Sequence, residues 1–214
     1  MNRDRGFPYR LYLVISETDC RGRELLWVAE EAIRGGVDLI QLREKQATTA
    51  EFLKKAIQLK NVTDHYGIPL IINDNLAVAQ QVGAFGIHVG QQDLPPSEIR
   101  RAWRDCRLLG YSVEELSQLE NPEVGWADYL GVSPIFSTDT KPDTVTEWGI
   151  DGIQNLRQQT DVPLVAIGRM GRDNAAAVIK AGADCMAVVS AICAADRPRE
   201  AAAELKALVT SIPS

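Results

Sequence analysis

Eight short apolar runs, each followed by a helix-like stretch or a short helical connection, divide the 214 residues into regular units. The runs are RLYLVIS (10–16), VDLIQL (37–42), PLIIN (69–73), FGIHV (85–89), RLLGYS (107–112), DYLGVS (128–133), PLVAIG (163–168) and CMAVVS (185–190). They are continuously apolar, as expected of parallel strands covered on both faces. Between them, LLWVAEEAIRGG, TAEFLKKAIQLKNVTDHYG and NAAAVIKAGA show helical spacing and close on glycine. GGVDLI, VGAFGIHV and AGADCMAVV repeat one phrase, a helix-ending glycine and then the next strand. Eight β/α units in a chain of this length predict a (β/α)8 TIM barrel. A doubly wound open sheet is the alternative. No Pro/Ser-rich spacer or low-complexity run divides the chain, so residues 1–214 read as one domain with its core over 10–210.

Composition bounds the partners. A net charge of −6 argues against a nucleic-acid or anionic-membrane surface, both of which need a basic footprint. It leaves room for small anionic substrates, which need only local positive charge. Cys20, Cys106, Cys185 and Cys193 form no C-x-x-C and the chain has two histidines, which argues against zinc. They read as reduced, buried thiols. The polar start MNRDRGFPYR and the five-residue run LYLVI are unlike a signal peptide or membrane span, so the expected location is cytoplasmic. The oligomeric state is left open.

In such a barrel the active site forms at the C-terminal ends of the strands. The second run leaves through QLREK, where alternation sends Gln41, Arg43 and Lys45 to one side. Two cations and an amide suit a phosphate or diphosphate; a solvated strand end is the other reading. IINDN puts Asn73 and Asp74 at the third strand end, and HVGQQDLP brings Asp93 after the fourth. Two carboxylates at adjacent strand ends can share Mg²⁺, which takes one or two carboxylates together with substrate phosphates. Alternatively, Asp93 caps the fourth helix and Asn73 or Asp74 the third. His88 reads as a satisfied strand residue, and Gln91 and Gln92 stay open. Ser112 is an anion donor or a helix cap for SVEELSQL. SPIFSTDTKPD carries Thr138, Thr140 and Lys141, suited to anion capture and loop closure, or to nothing more than a polar loop.

The seventh unit, LVAIGRMGRDN, reads as strand, glycine turn and helix start, with Arg169 beside Gly168; the eighth ends on Val189 and Ser190. Loops after the last two strands of these barrels often hold phosphate. Arg169 is then a clamp on the phosphate, a side chain swung outward, or a steric block. Two anion sites in one mouth suit the joining of two phosphorylated molecules.

QLREK, IIND, HVGQQDLP, PIFSTDTKPD, VAIG and AVVSAI, in this order, resemble the thiamine-phosphate synthase family, from LYLVIS to VVSAI. That family joins 4-amino-2-methyl-5-pyrimidylmethyl diphosphate to 4-methyl-5-(2-phosphooxyethyl)thiazole, releases diphosphate and uses Mg²⁺. The resemblance implies that Gln41, Arg43, Lys45, Asn73, Ser112 and Lys141 hold the pyrimidine diphosphate, with Arg43, Lys45, Ser112 and Lys141 catalytic. It assigns Asp74 and Asp93 to Mg²⁺. It assigns Thr138, Thr140, Gly168, Arg169, Val189 and Ser190 to the thiazole phosphate. It implies loss of diphosphate to a pyrimidylmethyl cation that the thiazole nitrogen captures, a step that needs no general base. The chain departs from the family pattern at Asn75, Ser133, Ser137, the GYSVEE stretch and Arg169, where the family has glycine. Two other readings are a thiazole tautomerase-like isomerase, which has no need of a diphosphate–Mg²⁺ site, and a degenerate barrel that binds thiamine precursors.

Overall fold

The computed structural model describes residues 7–137 and 147–212. Eight parallel strands close into a barrel in chain order: β1 (Leu11–Ile15), β2 (Leu39–Leu42), β3 (Leu70–Asn73), β4 (Gly86–Val89), β5 (Leu108–Val113), β6 (Tyr129–Val132), β7 (Leu164–Ala166) and β8 (Cys185–Val188). Pairing of β1 with β8 removes the open-sheet alternative. The helices are α1 (Leu25–Arg34), α2 (Thr49–Tyr66), α3 (Leu76–Gln81), α4 (Pro96–Ala102), α5 (Gly149–Gln159), α6 (Ala175–Lys180), α7 (Ser190–Cys193) and α8 (Pro198–Thr210). After β5 the chain forms two short 3-10 turns, Leu116–Glu120 and Pro122–Trp126. SVEELSQL therefore holds no α-helix for Ser112 to cap. No helix among the described residues is long and apolar enough to cross a membrane.

Strand residues split into two cores because alternate side chains face opposite ways. One set, including Leu13, Ile40, Ile72 and Val132, packs outward against the helices. The other, including Tyr12, Leu39, Ile71, Leu108, Tyr129, Val165 and Cys185, fills the barrel. The repeated phrase seen in the sequence has a structural counterpart at the bottom of the barrel. Asp38 Oδ2 accepts from the backbone N–H groups of Arg10 and Leu11, both at 2.9 Å, and pairs with Lys206. Asp128 and Asp184 repeat the device, accepting from Leu109 N and Leu164 N at 2.7 Å and pairing with Arg100 and Arg157. Each carboxylate thus stitches the start of its own strand to the strand before it. VGAFGIHV has Phe85 at this position instead, with the Arg107 guanidinium 5.8 Å from the ring centre.

These bonds lie at the face opposite the strand ends that carry polar groups, where they bear on stability. Asp38→Ala strands two backbone donors and one ammonium, and is expected to lower stability by about 2 kcal/mol. Urea titration checks it, and catalysis at low temperature should be unchanged.

Candidate active site

The C-terminal ends of the strands surround a cavity of about 640 Å³. Gln41 lies inside the barrel on β2, nearly buried, and Arg43 and Lys45 follow it into the cavity wall. Glu44, between them, points away and pairs with Lys55 at 2.9 Å. The alternation expected of QLREK therefore holds. Lys45 Nζ stands 3.4 Å from Asp74.

Asn73 ends β3 and lines the cavity with Asp74. Neither caps α3. Asn75 does so, its Oδ1 accepting from Val78 N at 3.0 Å, which gives that departure from the family pattern a structural role. Asp93 does not cap α4, which starts on Pro95–Pro96 without a side-chain cap. Its Oδ2 accepts from Gly90 N at 2.7 Å, which folds the loop back and turns the carboxyl toward Asp74. Burial, and then contact with the Asp93 carboxyl, holds Asp74 above the usual carboxylate range, while Lys45 pulls the other way. Two hard oxygen donors that repel each other fit a divalent cation. Among the described residues no group of three or more His, Cys, Asp or Glu is placed to hold a metal, so a cation here would complete its shell from substrate and water.

Ser112 lies within β5, almost buried, with its Oγ 3.0 Å from His88 Nε2. His88 also meets the Tyr129 hydroxyl, so it is a hydrogen-bonded interior residue. Gln91 is structural: its Nε2 donates to Ser112 O at 2.5 Å and its Oε1 accepts from Tyr111 at 2.9 Å. Ser133 and Ser137, two more departures, line the cavity. Thr138, Thr140 and Lys141 lie outside the described residues.

Gly168 has φ +117°, and a Cβ there would stand 2.8 Å from Ile135 N and Pro134 Cα. Only glycine fits that crossing of two loops. Arg169 follows with φ +50°. Asn174 braces this turn, accepting from Gly171 N and donating to Arg169 O, both at 2.9 Å. Val189 and Ser190, at the start of α7, complete the wall.

The charged residues of the first loop escaped the sequence reading. Asp19 and Arg21 line the cavity from the turn after β1, where no motif marks them. The available signal was weak, a charged pair flanking Cys20 ahead of Gly22. Arg21, Asp74 and Arg169 are the non-glycine residues with left-handed backbone among those described, and all three line this cavity. Each such conformation costs on the order of 1–3 kcal/mol and persists only where its surroundings enforce it.

The loops follow one another round the mouth, so charge is ordered. Arg169, Arg21, Arg43 and Lys45 come from the loops after β7, β1 and β2, and Asp74 and Asp93 from those after β3 and β4. Among the described residues the guanidiniums of Arg21, Arg43 and Arg169 have no acceptor. An arc of cations beside paired carboxylates can take anionic groups and a divalent ion in one cavity.

The chain is similar to several known proteins over nearly its whole length. The family model described as thiamine monophosphate synthase matches residues 11–192. A thiamine-phosphate synthase of Albidiferax ferrireducens is 47% identical over 203 residues, covering 95% of this chain and 93% of that protein. One from Chloroflexus aurantiacus is 46% identical over 202 residues, covering 94% and 93%. The solved thiamine phosphate pyrophosphorylase of Pyrococcus furiosus superposes with a TM-score of 0.85 at 31% identity, covering 98% of each chain.

Proposed function

This chain belongs to the thiamine monophosphate synthase family, and on that basis we propose how its barrel mouth joins the pyrimidylmethyl diphosphate to the thiazole phosphate, releasing diphosphate and thiamine phosphate. The observation that carries the reading is the pairing of the Asp74 and Asp93 carboxyls beside Arg43 and Lys45 in one cavity. Gln41 and Asn73, both buried in the wall, face the pyrimidine. Arg43, Lys45 and Ser112 face its diphosphate, and the family resemblance adds Lys141. Asp74 and Asp93 would hold Mg²⁺, which when bound neutralises charge on the departing diphosphate.

The C–O bond to diphosphate breaks with its electron pair going to oxygen. The pyrimidylmethyl cation then accepts the lone pair of the thiazole nitrogen. No proton moves, so the site needs charge stabilisation and no base. Each well-placed donor on the leaving group contributes roughly 3–4 kcal/mol. Arg43 and Lys45 supply fixed positive charge, and Ser112 supplies an O–H. The buried interior floor excludes water that would otherwise trap the cation.

Gly168, Arg169, Val189 and Ser190 take the thiazole phosphate, and the family resemblance adds Thr138 and Thr140. Of the three readings of Arg169, its guanidinium in the cavity wall, without an acceptor among the described residues, supports the clamp. Arg169→Gly should raise the KM for thiazole phosphate about tenfold, the worth of one charge-assisted contact. The same change should stabilise the fold by about 1 kcal/mol, because glycine adopts the left-handed backbone without strain. Steady-state kinetics and thermal melts read the two effects with opposite signs.

The paired carboxylates disfavour the isomerase alternative, which has no use for them. The small-molecule substrates and the four free, buried thiols suit a reducing cytoplasm. The deciding experiment supplies both substrates and Mg²⁺ to the purified protein. Diphosphate and thiamine phosphate should appear in equal amounts, and absence of diphosphate release would refute the reading.

A further inference from the structure

We propose that Tyr12, Tyr129 and His88 form a one-way hydrogen-bond relay across the barrel floor, which orients the Gln41 amide at one end and the Ser112 hydroxyl at the other. The proposal rests on the reading above, in which Gln41 and Ser112 meet the pyrimidine diphosphate.

Five side chains from five strands stand in line. Gln41 Nε2 donates to the Tyr12 hydroxyl at 2.8 Å. The Tyr12 and Tyr129 hydroxyls are 3.0 Å apart, bridging the barrel from β1 to β6. Tyr129 Oη is 3.0 Å from His88 Nδ1, and His88 Nε2 is 3.0 Å from Ser112 Oγ. An amide nitrogen can only donate. The Tyr12 oxygen therefore receives from Gln41. Its own proton goes to Tyr129, because the phenol is buried away from water and an unmet donor there is costly. Tyr129, having received, passes its proton to His88 Nδ1. An imidazole that receives at Nδ1 carries its proton on Nε2, and so donates to Ser112 Oγ. Ser112 has then accepted from the floor, and its O–H is left to point at the leaving diphosphate. At the other end the Gln41 amide is locked with Oε1 as its acceptor for the substrate.

The backbone is built around this line. A Cβ on Gly110 would lie 2.2 Å from Tyr129 Cζ and 2.3 Å from His88 Nδ1; one on Gly131 would lie 2.8 Å from His88 Cε1. Glycine weakens a strand interior, so two of them where the rings cross mark a required close approach. The imidazole and phenol rings stack there at 5.5 Å and 23°. Burial also holds both phenols well above their ordinary range, so their hydroxyls remain donors.

Tyr12, Tyr129 and His88 are positioning residues in this scheme. The test is a ¹⁵N NMR measurement of the histidine ring in the substrate-free protein. The chain has two histidines, and His65 is exposed on α2, so His65→Gln leaves only the His88 ring signals. The expected pattern is an unprotonated Nδ1 and a protonated Nε2; the reverse tautomer overturns the relay. Tyr129→Phe removes the donor to Nδ1 and should lower kcat for diphosphate release by roughly tenfold to a hundredfold, as losses behind contact residues do. The thiazole-phosphate KM should change less than about twofold, since no relay residue touches that phosphate. In a Ser112→Ala background Tyr129→Phe should cost little more, because both changes disable one donor; additive losses also overturn the relay. The two readings fail separately. A wild type that turns over with the proton on Nδ1 refutes the relay alone, and one with the expected tautomer but no diphosphate release refutes the function alone.

Discussion

Asp74→Asn is expected to lower the rate of diphosphate release by about 10²–10³-fold, the loss typical of removing one charge-stabilising group, while making the metal-free protein more stable. The side chain keeps its shape and loses its charge. In the wild type that carboxylate is half-desolvated against Asp93 and sits on a left-handed backbone at φ +59°. Its one ion-pair partner among the described residues, Lys45 at 3.4 Å, is half exposed and so contributes little. Removing a repelled charge while keeping an amide that tolerates this backbone should add about 0.5–1 kcal/mol, as relief of active-site strain commonly does.

The pH dependence has a definite sign. A carboxyl whose value is raised on folding stabilises the protein at low pH, and that contribution is lost as pH rises through the raised value. The stability advantage of the Asp74→Asn variant should therefore be full at neutral pH and vanish as the solution is acidified below the ordinary carboxylate range. Melting curves in a chelator across pH measure it. A variant that is less stable than wild type at neutral pH, without metal, would contradict the account.

Gly110→Ala should destabilise the fold by about 3 kcal/mol or more, at the upper end of overpacking costs. The added methyl carbon falls within 2.3 Å of both the Tyr129 and the His88 rings, and Tyr129 is fully buried with its hydroxyl bonded on two sides. Neither ring can turn aside without breaking the floor. For a chain of this size the melting temperature should drop by roughly 6–12 °C, and surviving protein should lose activity as well. Gly125→Ala is the control, because nothing lies within 4 Å of a Cβ there. It should melt within about 2 °C of wild type, as an unobstructed surface change does.

Much of the site was legible in the sequence, residue by residue. Gln41, Arg43 and Lys45 reach one cavity because strand alternation is a local rule, and Glu44 obeys it by turning outward to Lys55. The capping alternatives could not be decided locally. Asn73, Asp74 and Asn75 are all competent caps for α3 by type, and the choice fell to Asn75 because Asp74 leaves the strand with a left-handed backbone. Arg21 was invisible because its turn has no periodicity, and only the closing of β8 onto β1 sets it between the two cationic loops.

The order of eight β/α units, the apolar faces and the chemistry at the strand ends follow from the sequence alone, since each reports what a short segment buries or exposes. The contact of two carboxyls, the lack of an acceptor for three guanidiniums among the described residues and the floor relay were decided by the tertiary structure. Tyr12 and Tyr129 are 117 positions apart, and their hydroxyls meet at 3.0 Å only because the sheet closes and leaves glycines where the rings cross. Local patterning specifies which way a side chain points, whereas its partner across the barrel depends on closure and on the room left by every other strand.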